Sequence, residues 1–206
     1  GYGFENAPCR TAASLIGRLP WKTLGIPEPK DGSETLWYAL ATTFRDWDSF
    51  PVGTAASARR INSDSRGNIT VRAFSKIANC TDASCFVVND ATTEAIAVVF
   101  APGAALAAQS RGTVGTLLCS LTGLLVAGQL CASNYLDSML GTNNAGSSAG
   151  PFIVGPRVDG FNDRLTFLTA ADVMPPVEMR VGAELKKLLQ TYRQNSDWKC
   201  YPWGDN

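Results

Sequence analysis

The pattern of hydrophobic and polar residues predicts four short strands in the first three quarters of the chain. In GNITVRAF (residues 67–74), apolar residues at every second position alternate with polar ones. AIAVVFAPG (95–103) is apolar on both faces, which is typical of a strand in the middle of a sheet that is covered on both sides. Pro102 ends this strand because proline cannot donate to the ladder. LWYAL (36–40) and residues 152–154 complete the set, and residues 79–90 are predicted to form a loop.

A different period predicts a helix near the end of the chain. Thr169 and Asp172 have the spacing of a capping box at a helix start. Apolar residues then recur at helical spacing, while charged residues occupy the other positions: Val177, Val181, Leu185, Leu188, Leu189 and Tyr192. We expect this stripe to pack against the sheet, with an interface to a partner helix as the alternative. The predicted fold is therefore α+β, with an antiparallel sheet packed against a helix.

Aromatic residues are concentrated early in the chain, at Trp21, Trp37, Tyr38, Phe44 and Trp47. We expect them to cover one side of the core, and stacking on a carbohydrate is the alternative interpretation. At 206 residues and 45% hydrophobic composition, the chain is predicted to form a single domain over residues 1–206. Its 18 basic and 18 acidic residues cancel, so the charge does not favour a nucleic-acid partner.

Six cysteines and the absence of histidine favour disulfides over a zinc site. Local spacing favours Cys80 with Cys85 and Cys119 with Cys131, which leaves Cys9 with Cys200 by elimination. Six cysteines allow about 15 pairings, and free buried thiols are the alternative. Disulfides indicate an oxidising compartment, such as the periplasm or the cell surface.

The absence of histidine also excludes the Ser-His-Asp triad, the Cys-His dyad and imidazole acid–base catalysis. No lysine stands in an SxxK context, and no glycine motif that would hold a phosphate is present. The sequence therefore predicts a protein that is not an enzyme and that binds no cofactor.

Oxygen-bearing side chains in turns leave two other kinds of site open. Calcium takes oxygen ligands from loops, and two stretches offer them: Asn62, Asp64, Asn68; and Asp137, Asn143, Asn144. Turn formation explains the same residues. The polar segment before residue 150 is also predicted to be a ligand-contact loop, through Asn143, Asn144, Ser147 and Ser148.

Several ordered blocks of the sequence resemble type IV pilin-like proteins, the family with a prepilin-type N-terminal cleavage and methylation segment. The blocks are GRLPWKTLGIPEPKDGSETLWYAL, INSDSRGNITV, AIAVVFAPGAALAAQSR, SNYLDSMLGTNN and FNDRLTFLTAADVM. Together they cover roughly residues 15 to 180. The resemblance implies a pilin-like α+β domain with an antiparallel sheet on a helix and a disulfide-bounded region.

The resemblance also implies a location and partners. Such proteins carry a basic leader and a long apolar N-terminal helix, which anchors the subunit in the inner membrane and later forms the filament core. That helix is missing from this chain, so contact with the membrane and with other pilin subunits is expected through the missing helix. The YPW in residues 195–206 resembles the earlier LPW, and a further unit is expected to start there.

Two functions follow as expectations. The first is a structural role as a minor pilin or pseudopilin of a type IV pilus or a type II secretion filament, located in the extracellular filament or the periplasm. The second is a surface-binding or adhesin module that recognises a glycan or a protein ligand through exposed aromatic residues and the ligand-contact loop.

Overall fold

The computed structural model describes residues 16–28, 30–31, 34–44, 64–80, 85–107, 109, 111, 118–121, 124–127, 131–146 and 150–195. The chain divides after Ala170 into two compact units. The strands and helix are β1 Ile16–Arg18, β2 Lys30–Asp31, β3 Glu34–Thr35, β4 Trp37–Leu40, β5 Ile69–Lys76, β6 Phe86–Ala95, β7 Ala97–Ala101, β8 Leu118–Leu121, β9 Leu124–Ala127, β10 Ser138–Met139, β11 Thr142–Asn143, β12 Phe152–Val154, β13 Arg164–Leu168 and α1 Ala170–Asn195. Short 3₁₀ turns lie at Thr42–Phe44 and Ala132–Asn134.

The larger sheet has four antiparallel strands in the order β1-β4-β7-β13. The strand predicted from residue 95 forms β7, which pairs with β4 on one side and β13 on the other. Val98 and Phe100 on one face are fully buried, while the opposite face is half-buried. Pro102 follows the strand directly, so the predicted central position and the predicted end are both confirmed.

The second sheet has three strands in the order β12-β5-β6. β5 and β6 form an antiparallel hairpin, whereas β12 runs parallel to β5. The predicted loop over residues 79–90 is wrong in its second half, because β6 begins at Phe86 and continues for ten residues. The chain passes from this sheet to the larger one at Ile96, which lies between β6 and β7.

Side chains from both sheets form one hydrophobic core. Trp37 and Ala39 of β4 join Val98 and Phe100 of β7 on the buried face of the larger sheet. Phe152 of the second sheet meets Phe100 edge to face, with ring centroids 5.0 Å apart. The other buried members are Ile16, Ala41, Ile69, Val71, Ala95, Tyr135 and Leu136. The four strands predicted from the sequence therefore supply most of the core of this unit.

The predicted aromatic cover is confirmed in part. Trp37 is buried, and Tyr38 and Phe44 are half-buried, with Phe44 packed against the core. Trp21 is half-buried. Trp47 lies outside the described residues.

The helix of the second unit begins at Ala170, directly after Thr169, as predicted. Its sequence carries Pro175 and Pro176 in the second turn, and neither proline has an N–H to donate to the carbonyl four residues earlier. From residue 175 to 195, every side chain is exposed except Leu189, which is half-buried. Within this unit the apolar stripe is therefore exposed, and its packing against the sheet stays a prediction.

The short predicted disulfide, Cys80–Cys85, is confirmed and joins the two strands of the β5–β6 hairpin just beyond their last pair. Cys131 is also disulfide-bonded. The side chain of Cys119, together with Cys9 and Cys200, lies outside the described residues, so those pairings stay predictions.

Within the described part of the chain, no helix is long and apolar enough to cross a membrane.

Removing the Cys80–Cys85 disulfide is expected to lower the free energy of unfolding by about 2 kcal/mol. The effect is at the low end for a disulfide because the loop that it closes is short, so the bond removes little entropy from the unfolded chain. The test is chemical denaturation of the Cys80→Ala, Cys85→Ala double variant under oxidising conditions. Alanine is preferred to serine because Cys85 is fully buried and a hydroxyl there would add its own cost. An unchanged unfolding midpoint would contradict a stabilising role.

Candidate functional site: a buried polar centre and two exposed surfaces

Four buried polar residues lie where the β10–β11 hairpin adjoins the start of β13, and we refer to them as the polar centre. They are Asp137, Asn144, Asn162 and Asp163. Asn162 takes part through its backbone N–H, while its side-chain amide donates to the carbonyl of Ala104 at 2.8 Å. Asp137 and Asn144 flank the hairpin on its two sides, and the backbone N–H of Asn144 donates to the carbonyl of Asp137 at 2.9 Å. Asn162 and Asp163 directly precede β13. The fold therefore brings together two short polar pairs that lie 18 or more residues apart in sequence.

The carboxylate of Asp137 ties the turn before β13 to the hairpin. Its Oδ2 accepts hydrogen bonds from the backbone N–H groups of Asn162 at 2.7 Å and Asp163 at 3.2 Å. Its Oδ1 accepts from the side-chain amide of Gln109 at 2.7 Å. Both oxygens of this carboxylate are thus engaged by protein donors.

Asp163 makes the reciprocal contact. Its Oδ2 accepts from the backbone N–H of Asp137 at 2.8 Å and from the side-chain amide of Asn144 at 3.0 Å. Its Oδ1 is buried and has no hydrogen-bond partner among the described residues. Burial raises the pKa of this carboxyl from 3.8 to about 7, and the negative charge of Asp137 adds to the rise. The hydrogen bonds from Asn144 and Asp137 and the charge of Arg111 act in the opposite direction without cancelling it.

Asn144 joins the polar centre to the second sheet. Its side-chain oxygen accepts from the backbone N–H of Ile153 at 2.8 Å, and its amide donates to the carbonyl of the same residue at 3.0 Å. This two-way pairing satisfies the backbone of a fully buried residue in β12. Asn144 therefore acts as a structural link between the hairpin, β12 and Asp163.

Arg111 extends the network away from the polar centre. The guanidinium donates to the backbone carbonyls of Gly103 at 2.6 Å and Asn134 at 2.9 Å. It also donates to the side-chain oxygen of Gln109 at 2.6 Å and forms an ion pair with Glu34 at 3.3 Å. The Arg111 side chain is only 7% exposed, so this cation is held inside the protein by acceptors on several segments.

The geometry of the polar centre suits a structural role better than a chemical one. Asp137 and Asp163 are 3% and 2% exposed, so a substrate would not reach the carboxyl pair in this conformation. The described residues contain no group of three or more cysteine and acidic side chains that could hold a metal ion. Sequence reasoning missed Asn162, Asp163 and Arg111, although two adjacent polar residues immediately before an apolar strand were a signal of a buried turn.

The two stretches considered for calcium are placed differently by the structure. Asp137 and Asn144 come together in the polar centre, but their side-chain oxygens already accept from protein donors. Asn68 exchanges hydrogen bonds with Thr42 through both ends of its amide. Asn62 lies outside the described residues. A calcium site therefore stays a prediction. Most side-chain oxygens of the described residues in these two stretches already accept hydrogen bonds from the protein.

The ligand-contact loop predicted around residue 145 needs one correction. Asn144 is fully buried, so it cannot contact a ligand at the surface. Asn143 is exposed, and its side-chain oxygen accepts from the backbone N–H of Ala145 at 2.9 Å, which is a local turn contact. Ser147 and Ser148 lie outside the described residues.

A small pocket of about 150 Å³ lies at the turn after β1. Its walls include Trp21, Arg18, Glu28 and Thr35. The ammonium group of Lys22 lies 5.1 Å from the centre of the Trp21 ring. This is the first of two exposed surfaces, and it combines a flat aromatic face with charged side chains.

The second exposed surface is the apolar stripe of α1, which we define as Val177, Val181, Leu185, Leu188 and Tyr192. Their exposed fractions are 44%, 60%, 54%, 65% and 51% in that order. The five side chains repeat at intervals of four, four, three and four residues, so they lie along one face of the helix over about 22 Å. A continuous apolar face of this length in water is typical of an interaction surface.

Comparison with known proteins found no match among family models, curated proteins or solved structures. Of the three features above, the polar centre is closed to solvent, whereas the pocket and the apolar stripe are accessible.

Proposed function

We propose that this protein is a non-catalytic structural subunit of an exported filament, of the minor pilin or pseudopilin kind. The single observation that carries the proposal is the apolar stripe of α1, whose five side chains are all at least 44% exposed. Fully burying one such side chain is favourable by about 1.5–3 kcal/mol, so leaving the whole stripe in water is costly. A surface of this kind is explained by assembly with another protein.

Two further features support the proposal. The Cys80–Cys85 disulfide fits an oxidising compartment, such as the periplasm or the outside of the cell. The ordered sequence blocks that resemble pilin-like proteins fall on β4, β7, the β10–β11 hairpin and the start of α1. They include the elements that supply the core and the polar centre. Other filament subunits are the partners that this proposal requires, and the same resemblance proposes inner-membrane anchoring before assembly.

Surface shearing tests the proposed function directly. We expect an epitope-tagged chain, expressed in the organism that produces it, to appear in the sheared filament fraction. We expect that fraction to be empty when the filament assembly ATPase is deleted. A matched control carries the same tag on a secreted protein that does not assemble. Recovery of the chain in the soluble fraction, unchanged by the deletion, would rule out a filament subunit.

A surface-binding module is the second candidate, favoured by the pocket at Trp21. The exposed part of an indole ring beside Arg18, Lys22 and Glu28 is suited to stacking and hydrogen bonding with a sugar. On a glycan array, this function predicts binding that is lost in Trp21→Ala and retained in Met179→Ala, since Met179 is an exposed residue of α1. Equal signals from both variants would argue against the pocket.

A further inference from the structure

We propose that the apolar stripe of α1 pairs antiparallel with the same stripe of a second copy of this chain. The inference rests on the proposed assembly function and names the partner of that surface. It is carried by two features of the described helix: the symmetry of the stripe and the separation of charge along its length.

The stripe is symmetric about a point between Glu184 and Leu185. An antiparallel partner centred there places Val177 opposite Tyr192 and Val181 opposite Leu188, and the two Leu185 side chains meet near the two-fold axis. Four of the five side chains of each copy are then opposite apolar stripe residues of the other, and Leu185 packs beside its own symmetry mate. In the same register Glu184, at the edge of the stripe, lies opposite Leu185.

The charges of the helix are separated between its two halves. The first half carries three acidic side chains, Asp172, Glu178 and Glu184, and one basic side chain, Arg180. The second half carries basic side chains alone, Lys186, Lys187 and Arg193. An antiparallel pair brings the acidic half of each copy beside the basic half of the other, whereas a parallel pair brings like charges together.

One flank of the stripe shows the complementarity residue by residue. Glu178 and Arg193 lie on the same side of the stripe, and a two-fold axis perpendicular to the helices brings that side of one copy against the same side of the other. Glu178 of each copy then lies close to Arg193 of its partner, and the contact occurs twice. On the other flank, Glu184 of each copy lies near the axis and near its own symmetry mate. The helix dipole alone also favours acidic residues in the first half of a helix and basic residues in the second half. Exchanging the two charges therefore distinguishes the effect of the dipole from the effect of pairing between copies.

The test is sedimentation equilibrium of the whole chain over a wide range of protein concentration. We expect a monomer–dimer equilibrium, and we expect Leu188→Gln to raise the dimer Kd at least about tenfold. Met179→Gln is the matched control, because Met179 is 71% exposed but lies on the opposite face of the helix. Its Kd should stay within about twofold of the wild-type value. Helical content measured by circular dichroism should be the same in both variants.

Charge exchange tests the orientation. Glu178→Arg and Arg193→Glu should each raise the Kd several-fold, and the double variant should restore it. A strictly monomeric chain, equal effects of Leu188→Gln and Met179→Gln, or a double variant as weak as the single ones would each overturn the antiparallel pair. Binding to lipid vesicles in place of self-association would overturn it too. A monomeric chain that is still recovered from sheared filaments would overturn only the self-pairing and leave the proposed function standing.

Discussion

Replacing Asp163 with asparagine is expected to raise the free energy of unfolding at about pH 7. The change is expected to be roughly 3 kcal/mol more favourable there than the change caused by the same replacement at about pH 4. Burial raises the pKa of this carboxyl to about 7 in the folded protein, from 3.8. That difference of about three pH units corresponds to about 4 kcal/mol, at about 1.4 kcal/mol per unit. Asparagine has the shape of the neutral carboxyl and carries no charge at either pH.

The direction of the pH dependence of stability follows from proton binding. Between pH 3.8 and about 7, the folded protein holds a proton on Asp163 that the unfolded chain has released. The free energy of unfolding that this group contributes is therefore complete at low pH and is lost as the pH rises through this range. Since Oδ2 already accepts two hydrogen bonds, we expect the proton on Oδ1, which has no partner among the described residues.

The measurement is urea unfolding of the wild type and of Asp163→Asn at a series of pH values. Asp159→Asn is the control, because Asp159 is exposed and lies only four residues earlier. We expect the difference in free energy of unfolding between Asp163→Asn and wild type to grow with pH, and to grow more than the difference between wild type and the exposed-site control. Parallel curves for wild type and Asp163→Asn would contradict a buried carboxyl that is neutral at mildly acidic pH.

Replacing Asn144 with alanine is expected to lower the free energy of unfolding by about 3–5 kcal/mol. The change removes both hydrogen bonds to the backbone of Ile153 and the one to Asp163, all of which are buried. It leaves the N–H and the carbonyl of Ile153 without a partner, at a cost of about 1–3 kcal/mol each when no water replaces the asparagine, and it removes one of the two donors to Asp163 Oδ2. Chemical denaturation at fixed pH measures the loss.

The neighbouring asparagine provides the matched control. Asn143 is exposed and makes one local turn contact with Ala145, so Asn143→Ala should cost less than about 1 kcal/mol. Similar losses from the two variants, or no loss from Asn144→Ala, would contradict the structural role assigned to the polar centre.

Features that depend on neighbours in sequence were predicted correctly. Cys80 and Cys85 are five residues apart, and their Cα atoms lie 5.6 Å apart across the hairpin end. The apolar run that forms β7 is ended by Pro102, and the helix begins after Thr169. In each case the deciding interaction is local or is a property of the residue itself.

Features that depend on distant partners were not predicted. Asn89 and Asp90 favour turns, yet they lie within β6, where the ion pair between Asp90 and Arg72 of the adjacent strand supports the pairing. The sequence predicts the same ligand-contact role for Asn143 and Asn144, but only Asn144 meets Ile153 and Asp163. Sequence periodicity likewise predicts the apolar stripe of α1 but contains no information about what covers it.

The measurement that tests the central proposal most directly is oxidative footprinting of α1 in two samples: the dilute purified chain and the sheared filament fraction. Tyr192 belongs to the apolar stripe and Met179 lies on the opposite face, and both are more than half exposed in the single chain. An assembly surface predicts that Tyr192 becomes protected in the filament fraction while Met179 is still oxidised. Equal oxidation of Tyr192 in the two samples would contradict the claim that the stripe is the surface through which this protein assembles.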